Sequence, residues 1–375
     1  MIFLHLQKIT HFMKILVLAK YDQFHTVRPE AEIFISLSKI GYDITIMTKT
    51  DYPYAEIFKK QGIKVIDFEA TKKLNQQEIK FIKKELTQGK YDVMHMYNNI
   101  SMVNGLAAAK NIKITCVLYR GYSANVNWFD PTLYMKLLHP RADYIICNSE
   151  GVAQIMRDKG KVNPQKLITI NKGHKLEWYQ DIEPFKIREE LGLKKDSILV
   201  VLVANNRNMK GTKYLMESTK YLDPKKNMHI LLIGKDINNE KNLKILNNSH
   251  FKNNVHFLGF RKNALNIVKS CDIFLLTSIK GESITKSVIE AMSIGVAPVI
   301  SDIIGNKELV KDGVSGLVVP SKESKKFALA LNELYSNPAL LKKIKSNAKK
   351  HIANKLNHEQ TVKKYQEFYK GITTN

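Results

Sequence analysis

Glu282 and Glu290 stand eight positions apart in the segment Gly281-Glu282-Ser283-Ile284-Thr285-Lys286-Ser287-Val288-Ile289-Glu290-Ala291-Met292. The apolar run 274–278 before them reads as a buried parallel strand, and Ser287, Val288, Ala291 and Met292 continue at helical spacing. Glu282 therefore falls in a strand-to-helix loop and Glu290 one to two turns into the helix. Both carboxylates then face the crevice outside the carboxyl end of a strand, where open α/β sheets bind ligands. Between them the backbone N–H groups of Ser283, Ile284, Thr285 and Lys286 form a helix N-terminus suited to an anion. A carboxylate for sugar hydroxyls, amides for phosphate and a second carboxylate for a ribose describe a nucleotide-sugar pocket. An ordinary capped helix with two solvated glutamates satisfies the same spacing.

Two further segments carry suitable chemistry. Residues 201–212 read as a strand, a polar turn and a helix start, and the turn holds Arg207 and Lys210. A guanidinium forks two phosphate oxygens and an ammonium supplies a point charge, so the two converge naturally on a diphosphate. After Glu290 come a short apolar strand, Gly295-Val296-Ala297-Pro298-Val299-Ile300, then Ile304-Gly305-Asn306-Lys307-Glu308-Leu309-Val310, then Asp312-Gly313-Val314-Ser315-Gly316-Leu317.

That order resembles the C-terminal signature of the family 4 retaining glycosyltransferases, which have the GT-B fold: a glutamate pair, a Pro-Val strand, a glycine-containing loop ending in Glu-Leu-Val, and an Asp-Gly…Gly-Leu hairpin. Ile304 stands where a first glycine is usual. The resemblance implies two Rossmann-like doubly wound domains facing across a cleft. It implies that Glu282 orients the donor sugar, that Glu290 holds the ribose, and that Ser283, Ile284 and Thr285 line the donor site. It further implies that Lys210 and Arg207 offset charge on the departing diphosphate, and that main-chain atoms near Phe260 and Arg261 meet the nucleobase. The spacing from Arg207 to Lys210 is shorter than the family's usual gap. Where many members end a strand in His-Gly, with the histidine on the donor sugar, this chain has Arg120-Gly121. Arginine cannot act as a base but can hold a phosphate or carboxylate. His95 and His174 sit at expected strand ends near the cleft, and Trp128 lies in a loop able to stack on an acceptor sugar or pack beneath it. The implied reaction is retaining transfer of a sugar from a nucleotide-diphosphate donor to an envelope glycan or lipid-linked acceptor.

The rest of the chain fits this organisation. At 375 residues it exceeds one ordinary core. Strands are expected over 15–19, 44–47, 65–68, 93–96, 114–119, 144–147 and 167–171, then over 198–204, 230–233, 255–258, 273–276, 297–300 and 316–319. The boundaries read as an extension at 1–12, an acceptor domain at 13–180, a nucleotide-sugar-binding domain at 181–358, and a helix over 359–375 that packs back on the first domain. A helix is expected to start at Pro29, with proline in its first turn. Cys116, Cys147 and Cys271 lie in apolar runs without C-x-x-C pairing, which points to small buried hydrophobes in a reducing cytoplasm. No Asp-x-Asp occurs, so no metal or other cofactor is expected. The absence of any G-x-G disfavours a nicotinamide enzyme.

The formal net charge is +24, spread as 26 basic against 16 acidic residues over 1–180 and 33 against 19 over 181–375. No nucleic-acid module accompanies it, so nucleic acid is not an expected partner. Lysines do concentrate on two amphipathic helices expected over 72–90 and 340–356, and these suit an anionic inner leaflet as well as they suit water. No apolar run approaches the roughly 20 residues of a spanning helix. Two other readings stay open: a nucleotide-sugar epimerase of the same fold, and a non-catalytic protein that binds polyanions or glycans.

Overall fold

The computed structural model describes residues 13–373, so the extension expected over 1–12 lies outside the described residues. In the first half β1 (Lys14–Leu18), β2 (Asp43–Thr48), β3 (Lys64–Asp67), β4 (Val93–Met96), β5 (Thr115–Arg120), β6 (Tyr144–Cys147) and β7 (Leu167–Thr169) form one sheet in the order β3-β2-β1-β4-β5-β6-β7. In the second, β8 (Ile198–Val203), β9 (Met228–Ile233), β10 (Val255–Gly259), β11 (Ile273–Leu276), β12 (Ala297–Ser301) and β13 (Leu317–Val319) follow the order β10-β9-β8-β11-β12-β13. The strand pairs are parallel in both, with β1 in register Lys14 to Asp43 against β2 and β8 in register Ile198 to Met228 against β9.

Parallel strands need helical crossovers, which cover both faces of the sheet, so their sequences are apolar on both sides. β1 shows this, with Ile15, Leu16, Val17 and Leu18 all buried. Each sheet therefore has two cores, one per face. Ile15 and Val17 pack with Phe34 on one side of the first sheet, and Leu16 and Leu18 pack with Met94 and Met102 on the other. The second sheet repeats the arrangement, with Val200 and Leu202 on one side and Leu199 and Val201 on the other. Two doubly wound domains result. The connection order reverses between β1 and β4 in the first and between β8 and β11 in the second, and such switch points open a crevice at the carboxyl ends of the strands.

The chain crosses between the domains twice. His174 N–H donates to the Leu356 carbonyl at 2.8 Å and His358 N–H to the His174 carbonyl at 3.2 Å, which binds the two crossings to each other. The helix Pro338–Lys355 buries Leu341, Ile344, Ala348 and Ile352 in the second domain. The helix His358–Thr373 instead buries Tyr365 and Tyr369 in the core of the first, against the helix Phe24–Lys39.

Three helix limits differ from the expected ones. The first helix begins at Phe24, so Pro29 sits inside it and removes one backbone donor. Tertiary contacts hold the extra turn: the Phe24 ring stacks on Tyr54 at 5.1 Å, and the Arg28 guanidinium lies 4.6 Å from the Trp178 ring. The lysine-rich helix expected over 72–90 spans Gln76–Gly89, because the Asn75 side chain accepts from the N–H groups of Gln77 and Glu78 and sets the start. The second lysine-rich helix starts at Pro338, where the Asn337 side chain accepts from Leu340 N–H.

Candidate active site in the interdomain cleft

The switch point of the second domain explains why residues 72 positions apart meet. β8 and β11 are neighbours, so the loops at their carboxyl ends leave the sheet side by side. The loops are stitched together: Ile279 N–H donates to the Met209 carbonyl at 2.8 Å, and the Thr277 hydroxyl to the Lys210 carbonyl at 3.0 Å. Gly211 makes the approach possible. It has φ of +63°, and a Cβ there would lie 2.1 Å from the Thr277 carbonyl oxygen.

Lys210 and Glu282 meet on these loops, with Nζ 2.5 Å from Oε1 and both side chains less than a fifth exposed. Removing either partner of such a pair strands a largely desolvated charge, which is why the arrangement is costly to break. The Ser278 hydroxyl donates to the same carboxylate at 3.1 Å, and the Thr285 hydroxyl lies 3.4 Å from its other oxygen. Glu290 sits in the helix Lys286–Ser293, bonded to Lys286 one turn earlier. Ser283, Ile284 and Thr285 have buried side chains. Among the described residues, no acceptor meets the backbone N–H groups of these three.

Beside this cluster lies a cavity of about 340 Å³ lined by Arg207, Lys210, Phe260 and Arg261 with Ala204 and Gly234. Arg207 is exposed. Phe260 is 63% exposed with the Lys235 ammonium 5.6 Å from its ring, a flat apolar face beside a cation. The Arg261 guanidinium grips Glu190 with two contacts of 2.7 and 2.8 Å.

The first domain arranges its polar groups differently. His95 is fully buried in the β4 core, with Nδ1 3.0 Å from the Tyr369 hydroxyl and Phe34 edge-on to its ring. Burial, with a smaller push from Lys172, takes its pKa down to about 3. It is a neutral core histidine and not the cleft residue expected from its strand-end position. His174 also leaves the candidate set. It lies 2% exposed at the domain crossing, its Nδ1 2.5 Å from the Tyr179 hydroxyl, and burial lowers its pKa to about 3. Neither residue is open to solvent. Arg120 ends β5 with Nη2 donating to the Ala124 carbonyl at 2.5 Å and its guanidinium 5.5 Å from the Tyr122 ring. Burial pulls its pKa below the usual value. The Nη2 contact braces the loop 121–124, while Nε is buried without a hydrogen-bond partner among the described residues. Trp128, half exposed, lies edge-on to Phe129 at 6.0 Å.

That braced loop reaches the donor side. The Ser123 hydroxyl donates to the Glu282 carbonyl at 2.5 Å, and Ser149 and Ser283 place their hydroxyls 3.1 Å apart. The Glu308 carboxylate accepts from the N–H groups of Glu150 at 3.0 Å and Gly151 at 2.7 Å. These contacts join residues 134 to 159 positions apart, and sequence spacing gave no sign of them.

Comparison with known proteins places this geometry in a family. Residues 184–351 match the model for glycosyl transferases group 1, and residues 32–178 match that for glycosyltransferase family 4. An uncharacterised glycosyltransferase of Methanocaldococcus jannaschii is 29% identical over 255 residues, covering 65% of this chain and 62% of that protein. The N,N'-diacetylbacillosaminyl-diphospho-undecaprenol alpha-1,3-N-acetylgalactosaminyltransferase of Campylobacter jejuni is 26% identical over 345 residues, covering 86% of this chain and 89% of that one. The UDP-Gal:alpha-D-GlcNAc-diphosphoundecaprenol alpha-1,3-galactosyltransferase of Escherichia coli is 25% identical over 314 residues, covering 79% and 78%. Among solved structures, Anabaena HepE in complex with UDP superposes with a TM-score of 0.77 at 22% identity, covering 96% of this chain and 100% of that one.

Proposed function

Since this chain belongs to family 4 of the glycosyltransferases and is a glycosyltransferase of GT-B fold, we propose that it moves a sugar from a UDP-linked donor to a diphosphoundecaprenol-linked saccharide with retention of anomeric configuration. The observation that carries this reading is the meeting of Lys210 and Glu282 at the β8/β11 switch point, beside a cavity that also presents Arg207 and Phe260. Support for the donor and acceptor comes from the relatives, whose names specify UDP-galactose in one case and diphosphoundecaprenol-linked acceptors with alpha-1,3 products in two. Common UDP-hexoses are alpha-linked, so an alpha product means retention.

In this reading the uracil lies against Phe260, the ribose hydroxyls donate to Glu290, and the diphosphate lies between Arg207, Lys210 and the amides at Ser283 to Thr285. As the bond from the sugar C1 to the phosphate oxygen breaks, its electron pair leaves on the diphosphate. Lys210 and Arg207 then offset charge that grows toward the transition state, which is where electrostatic stabilisation is most effective. Glu282 receives the sugar hydroxyls while staying within reach of Lys210, so the same pair serves both halves of the donor. The acceptor hydroxyl bonds to C1 and its proton passes to the departing phosphate. Cationic side chains take the part that a metal takes elsewhere, and a chelator should leave turnover unchanged.

The enzyme works at a membrane surface in this reading, with no spanning helix required. Among the described residues no helix is long and apolar enough to cross a membrane. The test is UDP release from UDP-sugars with and without a synthetic diphosphoundecaprenol-linked GlcNAc acceptor. Acceptor-dependent release supports the proposal. Donor conversion without acceptor would point to the epimerase reading, and tight polyanion binding with no turnover to the binding protein.

A further inference from the structure

The carboxylate of Glu308 joins the two domains. It belongs to the loop after β12 in the second domain, yet its two oxygens receive the N–H groups of Glu150 and Gly151, the first two residues of the helix Glu150–Asp158 in the first domain. These donors have no partner within their own helix, and the helix dipole favours negative charge there. The helix already has its own cap: Ser149 Oγ accepts from Val152 N–H at 3.1 Å. Glu308 is thus a second, interdomain occupant of the helix start. Backbone contact accompanies it, since a Cβ on Gly151 would lie 2.7 Å from the Ile304 carbonyl oxygen.

From Glu308 a short path of contacts runs to the candidate site. Asn306, two residues before it, receives the Thr285 hydroxyl at 2.9 Å, and that hydroxyl lies 3.4 Å from the Glu282 carboxylate. On the same side Ser149 meets Ser283, and Ser123 donates to the Glu282 backbone. The loop that carries Glu282 is therefore held from both domains at once.

We propose that Glu308 is a positioning residue whose grip on the helix Glu150–Asp158 closes the cleft and sets Glu282 against the donor sugar in the same movement. The positioning half rests on the transferase reading; the closure half does not. Because the UDP-contacting groups assigned above all belong to the second domain, UDP binds without the latch, whereas sugar transfer requires it.

Glu308→Ala and Gly151→Ala test this by different routes. The first removes the carboxylate, and the second wedges a methyl between helix and loop while favouring the helix itself, so it is the safer variant for folding. Small-angle scattering should show both variants with a larger radius of gyration and maximum dimension than the wild type at an unchanged melting temperature. Calorimetry with UDP should give affinities within threefold of wild type. Turnover of the UDP-sugar and acceptor pair should fall at least tenfold, with partial recovery in Glu308→Asp. Variants as compact as the wild type would overturn the closure, and unimpaired turnover in open variants would overturn the positioning. UDP affinity and turnover falling together would also overturn it, because that pattern belongs to a damaged donor site. If no donor is turned over by the wild type, the transferase reading fails while the scattering still decides the latch.

Discussion

The two walls of the cleft use their polar residues in opposite ways. On the second-domain wall Lys210, Glu282, Arg207 and Glu290 come from loops and a helix start at a switch point and retain partial exposure; Lys210 pairs with Glu282, Glu290 pairs with Lys286, and Arg207 is exposed. On the first-domain wall the corresponding polar groups are bonded inside the fold: His95 through Nδ1 on Tyr369, with its Nε2 buried and unpartnered among the described residues, His174 on Tyr179, and Lys172 on the buried Glu30 at 2.7 Å. Burial raises the Glu30 pKa and Lys172 opposes that rise. The second wall can therefore rearrange around a ligand, while the first supplies rigidity and a loop that reaches across.

This contrast ranks the expected effects. Lys210→Ala should have the largest, lowering kcat by about 10² to 10³, the usual cost of losing one preorganised donor of transition-state charge. UDP affinity should fall less than kcat. A variant with raised KM and normal kcat would put Lys210 in ground-state binding instead. Glu290→Gln comes next, with UDP affinity weakened by about 1–3 kcal/mol for a lost charged acceptor. Equal calorimetric affinity in mutant and wild type would remove the ribose role.

The first wall should respond to pH through stability. His95 and His174 are held neutral by burial down to about pH 3, while an unfolded histidine protonates below about 6.5. The folded state's advantage is therefore complete above that value and shrinks as pH falls toward 3, by about 1.4 kcal/mol per pH unit for each ring. Melting temperature should drop between pH 7 and 5, and His95→Asn should flatten the slope while leaving UDP affinity unchanged. A slope identical to wild type would contradict the burial argument, and lost UDP affinity would return His95 to the cleft.

The smallest effect on the cleft concerns the membrane. Lys80, Lys83 and Lys84 are exposed on the helix Gln76–Gly89, and attraction to an anionic leaflet is about 1 kcal/mol per lysine, screened by salt. The protein should float with anionic but not neutral liposomes at low salt, and replacing the three lysines with glutamate should abolish flotation without changing UDP affinity. Equal recovery with both lipids would leave these lysines as solvated charge.

Much of the fold was legible because parallel strands are short apolar runs between polar turns: 93–96, 144–147 and 273–276 were read with the observed limits. The helix Phe24–Lys39 was misread because proline favours a first turn, while contacts with Tyr54 and Trp178 extend the helix five residues ahead of it. The segment carrying Glu282 and Glu290 was readable because loop and helix start are contiguous there. His95 was not, since a strand-end histidine looks the same whether it faces a cleft or a tyrosine 274 residues later. Glu308 was hidden for the same reason, its partners lying 157 and 158 positions upstream.

The central claim is that the donor lies on the second wall, with its diphosphate held by the residues at the β8/β11 switch point. A crystal structure of the protein with UDP tests it most directly. The account predicts phosphate oxygens within hydrogen-bond distance of Lys210 and Arg207, ribose hydroxyls on Glu290, and the uracil beside Phe260. A diphosphate bound instead against Arg120 or elsewhere on the first domain would contradict it.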